Sequence, residues 1–242
     1  AGLSNPNYGY FGGGSSPGDV ATIDRIDFSN ETTSAPGNNL STARWGLTAV
    51  FSSNYGYFVC VTDYTGKVDR IDFSTEITSA PGNNLGQGNF LLGSLSNSNY
   101  GYFAGGRNPL AFPQYSATIN RIDYNNETVS QPGNNLPEGR QGLGGVSDNA
   151  NYGYFGGGGD PSVVAIVDRI DFSTTTITPS GNLSQSRTGT ATVSNSSYGY
   201  FGGGFTPSIV ATVDRIDFST GTPGPAVGSL SQARYQLAAV SN

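Results

Sequence analysis

The pattern with the clearest potential for chemistry is a short phrase, Asp-Arg-Ile-Asp, which brings two carboxylates close to one guanidinium. Paired carboxylates can act in acid–base catalysis or hold a metal ion. The phrase occurs five times, once with Asn in place of the first Asp, at 24–27, 69–72, 120–123, 168–171 and 214–217. Because no single site could use five separated copies, we interpret the phrase as part of the fold.

Its alternation suggests how the charges would be satisfied. Residues two apart on a strand share a face, so Arg25 and Asp27 would lie together and Asp24 on the opposite face. Buried charges must be paired and hydrogen-bonded, which an Arg–carboxylate pair can do with bidentate geometry. The sequence therefore predicts a ladder of structural Arg–Asp pairs between neighbouring units: Arg25, Asp27, Arg70, Asp72, Arg121, Asp123, Arg169, Asp171, Arg215 and Asp217.

A second set of arginines precedes short runs of small residues, at Arg44, Arg140, Arg187 and Arg234, with Asn89 at the corresponding place in one unit. These side chains could surround one mouth of a channel and bind anions. They could instead be anchored inside the fold on carbonyls or on the aspartates. The second interpretation is favoured because buried donors are nearly always satisfied.

The features that enzymes need are largely missing. The chain has no His, which removes the most common general base and metal ligand. No Lys-Ser/Thr follows the glycines at 156–159, so they do not form a phosphate loop. We therefore expect no catalytic residue, no metal site and no cofactor. The formal net charge of −6 argues against nucleic acid and anionic membranes as partners, and no apolar stretch is long enough for membrane insertion.

The elements that carry these residues are repeated. Tyr-Gly-Tyr-Phe begins at Tyr8, Tyr55, Tyr100, Tyr152 and Tyr198, and a repeat of roughly 40–50 residues is typical of propeller blades. One unit is predicted to contain strands at about 187–193, 198–201, 209–218 and 220–227. Four short antiparallel strands make a blade, so the sequence predicts an all-β, five-bladed propeller that forms a single domain.

The predicted blades cover about 40–81, 86–132, 138–180 and 184–228, with a closing blade built from 1–36 and 231–242. In this closing blade, the C-terminal strand at 234–240 is predicted to join the N-terminal strands. Such a closure would remove the open edge between the first and last blades.

The order of these motifs resembles a kelch-type repeat. That family has an Arg-x-Gly inner strand, a second strand that ends in Gly-Gly, and a third strand with a late aspartate. The chain departs from it by lacking a fourth-strand tryptophan, since its one Trp is Trp45. The phrases Tyr-Gly-Tyr-Phe-Gly-Gly-Gly and Asp-Arg-Ile-Asp-Phe-Ser also resemble repeats in structural and tail-fibre-like proteins of marine cyanophages. This second resemblance implies an extracellular or virion location.

The loops between second and third strands break the repeat, and variable loops on a rigid scaffold often carry binding. The longest, at 107–115, contributes Arg107, Leu110, Phe112 and Tyr115. The expected contact surface also includes Tyr64, Asp160 and Phe205 on neighbouring loops. Its expected partner is a protein of a larger assembly or a host-surface receptor. A lectin-like surface that stacks sugars on aromatic rings is the alternative. A third possibility is that Leu110 and Phe112 fold back and cap their own blade.

Overall fold

The five sequence units form the five blades of a β-propeller in the computed structural model, which describes residues 1–15, 17–59, 65–86, 88–159 and 161–240. Each blade is built on four antiparallel strands in sequential order. Within the described residues, every regular element is a β-strand. The prediction of an all-β, five-bladed propeller with four strands per blade is therefore confirmed.

The strands are numbered in chain order, from the innermost to the outermost of each blade. Blade 1 contains β1 (Gly2–Ser4), β2 (Tyr8–Ser15), β3 (Asp19–Asp27) and β4 (Thr33–Ser34). Blade 2 contains β5 (Thr48–Phe51), β6 (Tyr55–Val59), β7 (Val68–Asp72) and β8 (Thr78–Ser79). Blade 3 contains β9 (Gly93–Ser96), β10 (Tyr100–Ala104), β11 (Ile119–Asp123) and β12 (Val129–Ser130). Blade 4 contains β13 (Gly144–Ser147), β14 (Tyr152–Gly156), β15 (Ile166–Asp171) and β16 (Ile177–Asn182). Blade 5 contains β17 (Ala191–Ser194), β18 (Tyr198–Gly202), β19 (Thr212–Asp217) and β20 (Thr222–Pro223), and β21 (Gly228–Ser229) also pairs with β19.

The glycine of Tyr-Gly-Tyr-Phe lets each blade approach the one before it. A Cβ on Gly56 would lie only 2.6 Å from the Leu3 side chain of blade 1, and one on Gly101 would lie 2.5 Å from Val50 of blade 2. Real Cβ atoms do not tolerate such distances. The small residue therefore makes room for the apolar side chain of the neighbouring innermost strand.

Four apolar cores join the blades in sequence: 1 to 2, 2 to 3, 3 to 4 and 4 to 5. In each core, the second Tyr of the Tyr-Gly-Tyr-Phe phrase stacks on the ring that follows the Asp-Arg-Ile-Asp phrase of the next blade. The stacked pairs are Tyr10–Phe73, Tyr57–Tyr124, Tyr102–Phe172 and Tyr154–Phe218. The Phe of the same phrase faces the preceding blade instead, as Phe58 does against Gly12.

The prediction that residues 234–240 supply the innermost strand of blade 1 is wrong. That place is taken by β1, which pairs with β2 through Gly2↔Phe11 and Leu3↔Tyr10. The two strands follow each other directly, and the Asn5 amide donates to the Tyr8 carbonyl at 2.9 Å to close the turn. A short local connection costs less loop-closure entropy than the joining of two distant chain ends.

The C-terminal segment 234–240 lies in the ring between blades 5 and 1. The Gln236 amide donates to the Gly189 carbonyl at 2.8 Å. This repeats the bond from Gly189 to Gly142 one blade earlier, at 2.7 Å. On the other side, a Cβ on Gly9 of blade 1 would meet the Val240 side chain at 3.2 Å. Five complete blades therefore share a ring with a sixth innermost segment, and all six line a central channel of about 1110 Å³.

Candidate functional site

Three of the four inner arginines are buried inside the blades, on the first carboxylate of the repeated phrase, whereas Arg234 is exposed. Arg140 Nη2 lies 2.6 Å from Asp168 Oδ2, and its Nε donates to the Gly157 carbonyl at 3.0 Å. Arg44 pairs with Asp69 and Arg187 with Asp214 in the same way. Because these three guanidinium groups are almost fully enclosed, they join the inner and third strands of their blades and cannot form an anion-binding ring.

Blade 3 has a neutral version of this anchor. Asn89 and Asn120 replace the Arg and the Asp, and both side chains are buried. Asn89 Nδ2 donates to the Gly105 carbonyl at 3.1 Å. Both members of the pair are therefore neutral in blade 3, so neither is a buried charge without its partner.

The second arginine position reaches across to the next blade. Arg25 Nη1 lies 2.7 Å from Glu76 Oε1, and the Tyr10 hydroxyl donates to the same oxygen at 3.0 Å. Burial and the adjacent Glu76 carboxylate raise the pKa of Tyr10. Arg70 and Tyr57 hold Glu127 in the same arrangement.

The predicted Arg–Asp ladder between blades is therefore wrong, because Arg25 and Arg70 pair with a glutamate in the turn of the following blade. Within the described residues, the three later arginines of this set form no ion pair. All five of these arginines also lie over the first Tyr ring of their own blade, at 4.3 to 4.7 Å from its centroid, where cation–π attraction holds them. They are Arg25, Arg70, Arg121, Arg169 and Arg215.

The second aspartate of each phrase closes a turn. Asp27 Oδ1 accepts hydrogen bonds from the Ser29 amide at 2.8 Å and from the Ser29 hydroxyl at 2.6 Å. These bonds lower the pKa of Asp27. The corresponding acceptors in the other blades are Asp72, Asp123, Asp171 and Asp217. These carboxylates serve the turns that follow the third strands.

The loop at 107–115 begins in a cluster of aromatic rings around one arginine, which we call the aromatic–arginine cluster: Trp45, Phe90, Arg107 and Tyr115. The Arg107 guanidinium lies 6.0 Å from the Phe90 ring centroid and 5.8 Å from that of Tyr115. Trp45 is 43% exposed, and its ring lies 5.6 Å from that of Phe90. The cluster therefore presents an open aromatic surface beside a positive charge.

The tip of this loop projects into solvent. Phe112 is 100% exposed and Leu110 is 77% exposed. The interpretation in which they cap their own blade is therefore wrong. Hydrogen bonds hold the base of the loop, since the Asn108 amide donates to the Gln114 carbonyl at 2.8 Å and Asn108 Oδ1 accepts from the Leu110 amide at 2.9 Å. Leu110 and Phe112 therefore project from a loop whose base is held by hydrogen bonds.

The other residues expected at this surface are distributed unevenly. Phe205 is exposed, and its ring lies 6.0 Å from that of Tyr235. Tyr64 and Asp160 lie outside the described residues. Trp45, Phe90 and Tyr235 were not predicted to belong to this face. A signal for them existed, because each directly follows an inner-strand Arg or Asn, where other units have Gln141 or Thr188.

Other kinds of site find no support in the described part of the chain. Its Asp and Glu side chains form no group of three or more that could hold a metal ion. It also contains no helix of the length and apolarity that a membrane crossing requires.

No protein-family model matches the sequence, and no curated protein matches it either. The resemblances to kelch-type repeats and to phage fibre repeats therefore stay predictions. The fold and the site define the protein as a β-propeller in which the repeated charged residues hold the blades together. The loops between second and third strands differ from blade to blade, and we call the face that carries them the loop face.

Proposed function

We propose that this protein is a non-enzymatic binding module that contacts a protein partner or a host-surface receptor through its loop face. The observation that carries the proposal is the loop at 107–115, which is held at its base by hydrogen bonds and exposes Leu110 and Phe112 at its tip. Exposed apolar groups on a stiff segment are typical of contact surfaces, and a pre-ordered loop loses less entropy when it binds.

Two further features support this assignment. The buried Arg–Asp pairs and the turn aspartates make their ion pairs and hydrogen bonds within the blades, so the repeated ionisable groups already have structural roles. The repeated sequence motifs resemble those of phage structural proteins, which fits an adhesion or decoration module in an extracellular or virion assembly. The propeller fold is compatible with such modules, although it also hosts other functions.

A lectin-like function is the second candidate, and the aromatic–arginine cluster favours it. An exposed Trp ring beside a second aromatic ring, 5.6 Å away, offers a stacking surface for the apolar face of a sugar. The Arg107 guanidinium next to it could donate hydrogen bonds to hydroxyl or carboxylate groups.

The test compares loop-tip and cluster variants for binding to host cells, to virion proteins and to a glycan array. Leu110→Ser with Phe112→Ser should leave the melting temperature unchanged, because both side chains are exposed, and should abolish binding to the protein or cell partner. Ile77→Ser is the matched control, since Ile77 is an exposed apolar residue in the turn between β7 and β8. Unchanged binding by the loop-tip variant would contradict the proposal. Glycan binding that Trp45→Ala removes would establish the lectin-like alternative.

A further inference from the structure

The side of the ring between blades 5 and 1 lacks the contacts that join every other pair of consecutive blades. Tyr10, Tyr57, Tyr102 and Tyr154 are fully buried against the following blade, whereas the equivalent Tyr200 of blade 5 is only partly buried. The Phe residues that face the preceding blade are fully buried in blades 2 to 5, whereas Phe11 of blade 1 is only partly buried. Both half-covered rings border the ring position of the C-terminal segment.

The charged groups on this side are also incomplete. Arg234 is exposed, although its equivalents Arg44, Arg140 and Arg187 are buried on a carboxylate. Asp24 is exposed, although its equivalents Asp69, Asp168 and Asp214 each hold an arginine. Within the described residues, Arg234 and Asp24 form no ion pair with each other or with another group.

Glu31 completes the set. Its equivalents Glu76 and Glu127 each accept from an arginine and a tyrosine of the preceding blade. Glu31 is exposed, and among the described residues no glutamate pairs with Arg215 and Tyr200 on the far side of the opening. Four groups at the opening therefore lack the partners that their equivalents have. Arg234 lacks an Asp, and Arg215 with Tyr200 lacks a Glu. Asp24 and Glu31 each lack an arginine.

We propose that this opening is a docking surface for the three outer strands of one further unit of the same repeat. The other blades specify the chemistry of the occupant. It would bring an Asp to Arg234, as Asp69 meets Arg44, and a Glu to Arg215 and Tyr200, as Glu76 meets Arg25 and Tyr10. Its own Arg and Tyr would meet Glu31, and an Arg after its outermost strand would meet Asp24.

The C-terminal segment is already placed to receive these strands. It occupies the position of an innermost strand, and residues 234 to 236 make the same backbone bonds to blade 5 that residues 187 to 189 make to blade 4. The described structure shows no strand paired with it. A backbone segment at an innermost position, with no strand paired along it, can accept an added strand.

Residues 8–44 of this chain contain every group that the occupant needs: Tyr10, Asp24, Arg25, Glu31 and Arg44. A polypeptide that copies residues 6–44 is therefore the probe, and its binding to the full chain is measured by titration calorimetry. We expect one probe per chain, and at least about tenfold weaker binding when the probe carries Asp24→Ala or the chain carries Arg234→Ala.

Charge reversal gives the most specific test of the contact. Binding should be lost with Arg234→Asp in the chain and recovered when the probe carries Asp24→Arg. The Leu110→Ser, Phe112→Ser chain should bind the probe as well as the native chain does, which separates this surface from the loop face. Probe binding that ignores the Arg234 substitutions would overturn the proposal.

Because a free probe of this size has little structure of its own, a second measurement uses it fused after Asn242, where the effective concentration is high. The fusion should melt at a higher temperature than the native chain, and the fusion with Asp24→Ala in the added unit should not. Absence of both probe binding and a rise in melting temperature would overturn the proposal. Strong coupling between Arg234→Ala and Asp24→Ala within the native chain would also overturn it, since the ring would then close on itself.

Discussion

At the residue scale, the environment of an inner arginine depends on whether its own blade is present. Arg140 is buried, with its guanidinium 2.6 Å from the Asp168 carboxylate and two further bonds to carbonyls. Arg234 occupies the equivalent position in the repeat. Its part of the ring contains no third strand to supply an aspartate, so the Arg234 side chain is exposed. The same residue type is therefore an anchor in one place and a free surface cation in the other.

This difference predicts opposite outcomes for the same substitution. Arg140→Ala should destabilise the fold by about 3 kcal/mol or more, because it leaves the Asp168 carboxylate buried without a partner. Arg234→Ala should change stability by about 0.5 kcal/mol or less, as surface substitutions usually do. Urea denaturation of the two variants measures both values.

The neutral anchor of blade 3 supplies the control. Arg140→Asn combined with Asp168→Asn, which copies Asn89 and Asn120, should be less destabilising than Arg140→Ala alone. Equal losses for Arg140→Ala and Arg234→Ala would contradict the assignment of Arg140 as a buried anchor.

The sequence predicted part of this chemistry. That inner arginines are anchored inside the blades followed from the need to satisfy buried donors. The acceptor of the second arginine position could not be predicted, because Glu76 and Glu127 lie in turns of the next blade and are replaced by Thr175 and Gly221 in later units. A contact present in only some units leaves no mark in the repeated phrase.

At the element scale, the turn after each third strand determines how neighbouring blades interlock. One residue of this turn has a left-handed backbone in every blade, with φ between 56° and 69° at Glu31, Glu76, Glu127, Thr175 and Gly221. This conformation costs an L-residue about 1–2 kcal/mol. In two turns the glutamate is held by an arginine and a tyrosine of the preceding blade, which offsets that cost.

Glycine substitutions separate the strain from the contact. Glu31→Gly should be neutral or slightly stabilising, because it removes the backbone strain and Glu31 has no partner to lose. Glu76→Gly removes the same strain but also the bonds from Arg25 and Tyr10, so it should be less stable than Glu31→Gly by about 1 kcal/mol. Thermal or urea unfolding checks the order, and a Glu76→Gly protein as stable as the Glu31→Gly protein would show that the inter-blade contact contributes nothing.

The elements themselves were predicted well in number and order but less well in extent. The innermost strand expected at 187–193 is β17, Ala191–Ser194, because Thr188 pairs instead with Phe205 on the loop face. Of the outermost strand expected at 220–227, only Thr222–Pro223 forms a strand, β20, and the separate two-residue strand β21 follows at Gly228–Ser229. Gly224 and Pro225 lie between them, and such residues weaken pairing at a sheet edge.

At the scale of the whole molecule, five blades share a ring with six innermost segments. The sequence predicted the number of blades from the five repeats, but it placed the innermost strand of blade 1 at 234–240 and not at residues 1–4. The C-terminal segment has the Arg-x-x-Leu pattern, whereas residues 1–4 correspond to the residues that follow this pattern in blade 2. β1 nevertheless forms the innermost strand of blade 1, because its closeness to β2 along the chain outweighs the motif of the C-terminal segment.

The arrangement of the ring is the central claim, because the docking surface depends on it, and disulfide formation between engineered cysteines tests it most directly. In a Cys60→Ser background, one variant carries Gly2→Cys with Phe11→Cys, which are directly opposite each other in the β1–β2 pair. A matched variant carries Ala239→Cys with Phe11→Cys, since Ala239 is the residue that would face Phe11 if the C-terminal segment closed blade 1. After mild oxidation, the free thiols are counted by mass spectrometry. The structure predicts a disulfide in the first variant and free thiols in the second, and the reverse result would contradict it.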